Sequence, residues 1–311
     1  MIKEVVAIDL PVNERLVIQK HTLQPEQLTG GEKRLCIVTG THGDELEGQY
    51  VCYELNRRIK AEKQYLKGIV DIYPALNPQG IDSITRGIPL FDLDMNRIFP
   101  GSQDGAMVEY VAAKIIDDII GADLCIDIHA SNIFLREVPQ VRVSEETAAK
   151  LVPYAKHLNV EFVWVHAAST VLQSTLAHSL NSRGVPTLVV EMGVGMRMTK
   201  TYGEQLVAGI FNLMQQIGIW EGPVEEVMTP IVSSDHKVGF VNANASGFFV
   251  SEMKHWEKVG EGSLIGKIVC PLTGEVLEEV VAPCEGIIFT LREYPLVYNG
   301  SLIARVLGGI Q

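Results

Sequence analysis

The chain is short of the features that mark several large classes of protein. It has five cysteines in 311 residues, and Cys36, Cys52, Cys125, Cys270 and Cys284 are widely spaced and odd in number. No two of them form a CxxC pair, which argues against a disulfide framework or a cysteine-held metal. Cys36 and Cys125 lie inside apolar runs and read as small buried hydrophobes. Basic charge is scarce: 26 Lys and Arg stand against 38 Asp and Glu, a net charge of −12. Proteins that grip nucleic acid or an anionic membrane need basic surface, so neither partner is expected. No apolar run approaches the roughly 20 residues that span a bilayer. The start, Met1-Ile2-Lys3-Glu4-Val5-Val6, lacks the apolar core of a secretory signal. A reducing, cytoplasmic setting is the expectation. Repeats of solenoid period and low-complexity tracts are missing too. With 47% apolar and 21% charged residues, the composition excludes disorder, collagen and coiled coil.

What is present is an alternation of strand and helix signals over the first two-thirds of the chain. Runs 34–40, 68–75, 123–129, 160–166 and 186–192 are rich in Val and Ile and nearly continuously apolar, as buried strands of a mixed or parallel sheet are. Helical periodicity falls between them, over 46–59, 108–120, 145–158, 171–182 and 202–216. The pattern predicts an α/β sheet with helices on both faces. After Trp220 it changes. Glycines and turn signals such as Val259-Gly260-Glu261-Gly262 separate short alternating segments, the pattern of an all-β module. Gly222, Pro223 and Pro230 among acidic residues mark the joint. The expected division is an α/β domain over 1–225 and an all-β accessory domain over 226–311.

The segment Thr39-Gly40-Thr41-His42-Gly43-Asp44-Glu45-Leu46-Glu47-Gly48 follows a buried strand and opens a helix. His42 and Glu45, three residues apart, can reach one cation, and two histidines with one glutamate plus a water make a catalytic zinc set. Ligands in α/β sheets bind beyond the carboxyl ends of strands, so a third donor is sought at another strand end. His129 closes Asp127-Ile128-His129 and is the candidate, the alternative being a buried histidine bonded to backbone. Asp127 shares its strand face, either as the partner of that imidazole or as a hydrogen-bonded buried acid. Arg86, Asn96 and Arg97 lie in a Gly/Pro-rich stretch and suit carboxylate recognition, Arg being a bidentate fork; a solvated loop with surface ion pairs is the alternative. Glu191, in Val189-Val190-Glu191-Met192-Gly193, is a carboxylate at the end of a buried strand. Such a group needs a partner or a task, either a structural ion pair or a base beside a metal-bound water.

Taken in order, GTHGDELEG (40–48), NPQG (77–80), TRG (85–87), DLDMNRIFPG (92–101), DIH (127–129) and VEMG (190–193) resemble the succinylglutamate desuccinylase/aspartoacylase family of zinc-carboxypeptidase-like hydrolases. The resemblance implies a mixed sheet flanked by helices. It implies one zinc ion per chain on His42, Glu45 and His129, with Asp94 orienting His42. It makes Asn96 and Arg97 the clamp for a substrate carboxylate, Arg86 the group that polarises the scissile carbonyl and Glu191 the general base. The implied activity is hydrolysis of the amide in a small, anionic N-acyl amino acid. A zinc carboxypeptidase acting on a short peptide and a non-catalytic metal- or ligand-binding protein are the alternatives. The tail is similar to a biotinyl/lipoyl-like barrel sandwich, without the modified lysine at a hairpin tip. Tyr294 and Tyr298 are candidates for a substrate-holding tyrosine, neither chosen, and His166 ends a strand as His129 does. A homo-oligomer is compatible with all of this.

Overall fold

The structure, a computed structural model, describes residues 1–167, 173–234 and 237–309. It opens with an antiparallel hairpin, β1 (Ile2–Asp9) and β2 (Arg15–Leu23). The alternating part follows as β3 (Arg34–Thr39), α1 (Glu47–Ala61), β4 (Ile69–Tyr73), α2 (Pro78–Ser83), α3 (Met107–Ile119) and β5 (Leu124–Ala130). It continues with β6 (Leu135–Ser144), α4 (Glu145–Ala155), β7 (Phe162–His166), α5 (Leu176–Asn181), β8 (Thr187–Gly193) and α6 (Lys200–Gln216). The remainder is strands: β9 (Ile231–Ser234), β10 (Val238–Asn242), β11 (Gly247–Ser251), β12 (Lys258–Val259), β13 (Leu264–Val269), β14 (Val276–Val281), β15 (Gly286–Arg292), β16 (Leu296–Val297) and β17 (Leu302–Gly308). Part of the expected helix 171–182 lies outside the described residues, and α5 is its described portion. None of the helices among the described residues is long and apolar enough to cross a membrane.

Among the described residues one thirteen-stranded mixed sheet runs β1-β2-β4-β3-β5-β8-β6-β15-β17-β10, with β7 and β9 continuing from β6 and β12 paired to β15. Strands β4, β3, β5 and β8 are mutually parallel. Their apolar runs follow from burial on both faces. Leu35, Ile37, Ile126 and Ile128 pack with Leu55 of α1 and Ile210 of α6. The alternate residues Cys36, Val38 and Cys125 face the other way, against Ile115 of α3 and Leu180 of α5. A second antiparallel sheet, β14-β13-β11-β16, lies in the C-terminal part. The ladder also crosses the joint expected near residue 226, because β15 pairs with β6 and places Thr290 opposite Glu137.

Strand β6 departs from the apolar pattern. It reads LREVPQVRVS, yet it sits between β8 and β15. Its register against β8 shifts between Glu137, opposite Gly193, and Gln140, opposite Glu191. The extra residue is a β-bulge. It turns Glu137 onto the sheet face that Gln140 and Arg142 occupy, where strict alternation would have set them on opposite faces.

A half-buried acid outside the site yields a pH prediction. Glu161 accepts a hydrogen bond from Gln205 Nε2 at 3.0 Å, and burial pushes its pKa from 4.5 up to about 7. The folded chain therefore keeps this proton over a pH range in which the unfolded chain has lost it. Stability falls as pH rises through that window and levels off above it. Glu161→Gln is expected to stabilise the protein at about pH 8, by at most about 3 kcal/mol, and to have no effect near pH 4. Equal shifts in melting temperature at the two pH values would refute this.

Candidate metal centre

The loop after β3 and the NPQG segment form one unit. Gly40 has φ +67°, and a Cβ there would sit 2.8 Å from the Pro74 carbonyl oxygen. A Cβ at Gly43 would lie 2.0 Å from the Gly80 carbonyl carbon, so the two backbones touch where no side chain fits. Asn77 N donates to the Gly40 oxygen at 2.8 Å, and Asn77 Oδ1 accepts from Gly80 N at 2.9 Å, capping α2. This packing holds His42 and Glu45 at the mouth of β3. His129 comes from the end of the neighbouring β5, and Glu191 of β8 is its register partner.

The three donors converge. Glu45 Oε1 lies 2.7 Å from His42 Nδ1 and its Oε2 lies 2.9 Å from His129 Nδ1. All three side chains are buried. The outer nitrogens have acids of their own: His42 Nε2 is 2.9 Å from Asp94 Oδ1, and His129 Nε2 is 3.1 Å from Asp127 Oδ2. Burial opposes charge on both imidazoles. Asp94 and Glu45 outweigh it at His42, and Asp127 and Glu45 outweigh it at His129, so both pKa values rise. Burial likewise opposes the Glu45 charge, but His129 and His42 hold the carboxyl well below its usual range.

This chemistry fits a cation. With Nε2–H donating to Asp94, the neutral imidazole of His42 turns its Nδ1 lone pair toward a carboxylate oxygen. That nitrogen is buried and makes no aligned hydrogen bond despite the 2.7 Å approach. Two acceptors so close need a positive charge between them. One donor atom from each of His42, Glu45 and His129 lies within 4.8 Å of the others, and no second such group occurs among the described residues. Two imidazoles and a carboxylate, each imidazole backed by an acid, are a ligand chemistry that suits zinc. Asp127 therefore stands beside the imidazole, one of its two expected places.

The other expected residues gather around this centre. Arg86 Nη1 donates to Glu45 Oε1 at 2.9 Å and Nη2 to Asp94 Oδ2 at 3.3 Å. Asp94 Oδ1 also accepts from Asn96 N at 2.8 Å. Asn96 Oδ1 accepts from Leu176 N at the start of α5, at 2.9 Å. Its amide nitrogen has no hydrogen-bond partner among the described residues, and Asn96 and Arg97 both line the cavity. That cavity, of about 1030 Å³, also takes in His42, Glu45, Arg86, His129 and Glu191 and reaches Val189 and Thr187 below Glu191 on β8. Burial pushes the Glu191 pKa up, with Glu45 and Glu137 acting the same way and Arg142 and His129 against it. His166 lines the cavity, whereas Tyr294 and Tyr298 are exposed and do not. Four charged residues on the cavity wall are not picked out by the sequence: Glu137, Arg142, Glu146 and Arg305. The period-two run Val141-Arg142-Val143 is the signal that could have flagged β6.

Comparison with known proteins places these residues in a family context. Residues 31–217 match the succinylglutamate desuccinylase/aspartoacylase catalytic domain. The chain is 24% identical over 284 residues to the N-alpha-acetyl-L-2,4-diaminobutyric acid deacetylase of Halomonas elongata, covering 88% of this chain and 82% of that one. Its fold resembles the product-bound ectoine utilization protein EutE (DoeB) of Ruegeria pomeroyi, with TM-score 0.83, 21% identity and coverage of 99% and 95% of the two chains. A succinylglutamate desuccinylase/aspartoacylase from Rhodobacter sphaeroides is similar at TM-score 0.82, 23% identity and coverage of 99% and 96%.

Proposed function

This chain belongs to the succinylglutamate desuccinylase/aspartoacylase family, and from that premise we propose that it is a zinc-dependent hydrolase of the amide bond in a small N-acylated amino acid. The observation that carries the proposal is the approach of His42 Nδ1 and His129 Nδ1 to the two oxygens of Glu45, inside a cavity whose lining includes Arg86, Arg97, Asn96 and the half-buried Glu191. The diaminobutyrate deacetylase relative supports the same class of substrate. Residues 1–225 are read as the catalytic domain and 226–311 as an accessory module of barrel-sandwich kind.

His42, Glu45 and His129 would hold the zinc ion, which supplies Lewis acidity and a water of lowered pKa when bound. The chain's own groups do the rest. Asp94 accepts a hydrogen bond from His42 Nε2–H and so fixes the imidazole with Nδ1 facing inward. Asn96 Nδ2 and Arg97 bind the substrate carboxylate and set the amide in register. Arg86 leans on Glu45 and Asp94 with a half-exposed guanidinium, from which it stabilises the oxyanion that develops on the scissile carbonyl. Glu191 accepts a proton from the attacking water and delivers it to the departing amine nitrogen. The overall field of a chain with net charge −12 repels an anionic substrate, so attraction is local to Arg86, Arg97 and the metal.

The test is zinc quantification followed by a release assay on N-acetyl and N-succinyl amino acids and short peptides. Release from N-acyl amino acids by the zinc-loaded chain is expected. Cleavage of peptides alone would make it a carboxypeptidase, and full zinc without turnover a binding protein. Asp94→Asn is expected to weaken zinc binding by about 10- to 100-fold in competition with a chelator. Unchanged affinity would show that Asp94 does not orient His42.

A further inference from the structure

Glu191 is held by residues that the proposed reaction does not otherwise use. Arg142 of β6 splits its guanidinium between two acids: Nη1 donates to Glu191 Oε1 and Nη2 to Glu137 Oε1, both at 3.2 Å. Glu137 is 1% exposed and is saturated. Its Oε1 also accepts from Arg305 Nη1 at 2.8 Å, and its Oε2 accepts from Thr290 Oγ1 at 2.8 Å and from Gln140 Nε2. Arg305 and Thr290 face each other on β17 and β15, far outside the matched span 31–217. The β-bulge in β6 is what brings Glu137 onto the same face as Arg142. Trp164 of β7 backs both guanidinium groups, with Arg142 Cζ 5.4 Å and Arg305 Cζ 5.5 Å from its ring centroid.

A buried acid needs one cation to neutralise it. Here two arginines meet on Glu137, and the planar fork of one continues to Glu191. A rigid fork fixed at one end aims whatever sits at its other end. We propose that Arg142, Glu137 and Arg305 are positioning residues that aim the Glu191 carboxylate, so that strands β15 and β17 belong to the catalytic apparatus. The proposal rests on the reading of Glu191 as proton acceptor. Arg305 reaches Glu191 through two intervening residues, Glu137 and Arg142, and touches none of the zinc-binding side chains, so its removal should act on the chemical step and spare the metal.

The experiment compares the zinc-loaded wild type with Arg305→Met and Arg305→Lys. Arg305→Met is expected to lower kcat on the order of 10- to 100-fold, the effect of misplacing a reacting group by about 1 Å. KM should stay within about twofold and zinc content should not change. Arg305→Lys should restore much of kcat. In a crystal structure of Arg305→Met the Glu191 carboxylate should have left its position beside Arg142. Thr290→Val removes a donor to Glu137 without unpairing a charge, and gives the same readouts with smaller losses if Arg305→Met fails to fold. A wild-type kcat with an unmoved Glu191 carboxylate would overturn the proposal. A raised KM at unchanged kcat would also overturn it, making Arg305 a substrate contact. If the wild type released no amino acid from any substrate, the deacylase reading would fail by itself, and the position of Glu191 in the variant crystal would still decide this one.

Discussion

Glu191→Gln is expected to lower kcat by about 10²- to 10⁴-fold, the usual contribution of a general acid–base group, while the chain retains its zinc. The carboxylate is not one of the three converging donors, which are His42, Glu45 and His129. It sits beside them, as the register partner of His129 on β8. Burial raises its pKa against the pull of Arg142 and His129, which makes the carboxylate a stronger base. Glutamine keeps the size of the side chain and can still accept from Arg142 through its carbonyl, so the local packing survives. It cannot take up a proton. Because the lost interaction arises in the chemical step, kcat and kcat/KM should fall together and KM should hold. Turnover at the wild-type rate would remove Glu191 from the mechanism.

The sequence made some parts of the molecule plain and concealed others, for physical reasons. Strands β3, β5 and β8 were legible because both of their faces are covered, which leaves an almost unbroken apolar run. Their predicted and observed ends agree within one or two residues, the ordinary scatter of element boundaries. The hairpin β1–β2 was not foreseen, since β1 is mostly exposed and carries Lys3, Glu4 and Asp9. Strand β6 was not foreseen either. Pro139, Glu137 and Arg142 are residues that argue against a central strand. They are tolerated because the bulge re-aims Glu137 and because its charge is met by arginines from β6 itself and from β17. His42, Glu45, Asp94 and His129 could be picked out because each lies in a short contiguous motif. The Glu137–Arg305 contact spans 168 positions in the chain, and no local pattern encodes it.

His129→Ala should abolish stoichiometric zinc, leaving a small fraction of an ion per chain where the wild type holds one. The variant removes one of three protein donors and breaks the pairing at both ends of the imidazole. Glu45 Oε2 keeps only the Ala130 amide, at 3.1 Å, and Asp127, 1% exposed, loses the imidazole 3.1 Å away. Removing one partner of a buried charged pair typically destabilises by about 3–5 kcal/mol, so a lower melting temperature alone would not identify a ligand. Zinc linkage does. A ligand that binds only the folded state stabilises it by about 4.1 kcal/mol at a thousand times its Kd. The melting temperature of the wild type should therefore rise steeply with added zinc, and that of His129→Ala should stay flat over the same range. Glu191→Gln should respond to zinc as the wild type does. If the zinc-dependent shift persisted in His129→Ala, the ion would have to be held by other residues, and the assignment of His129 would fall.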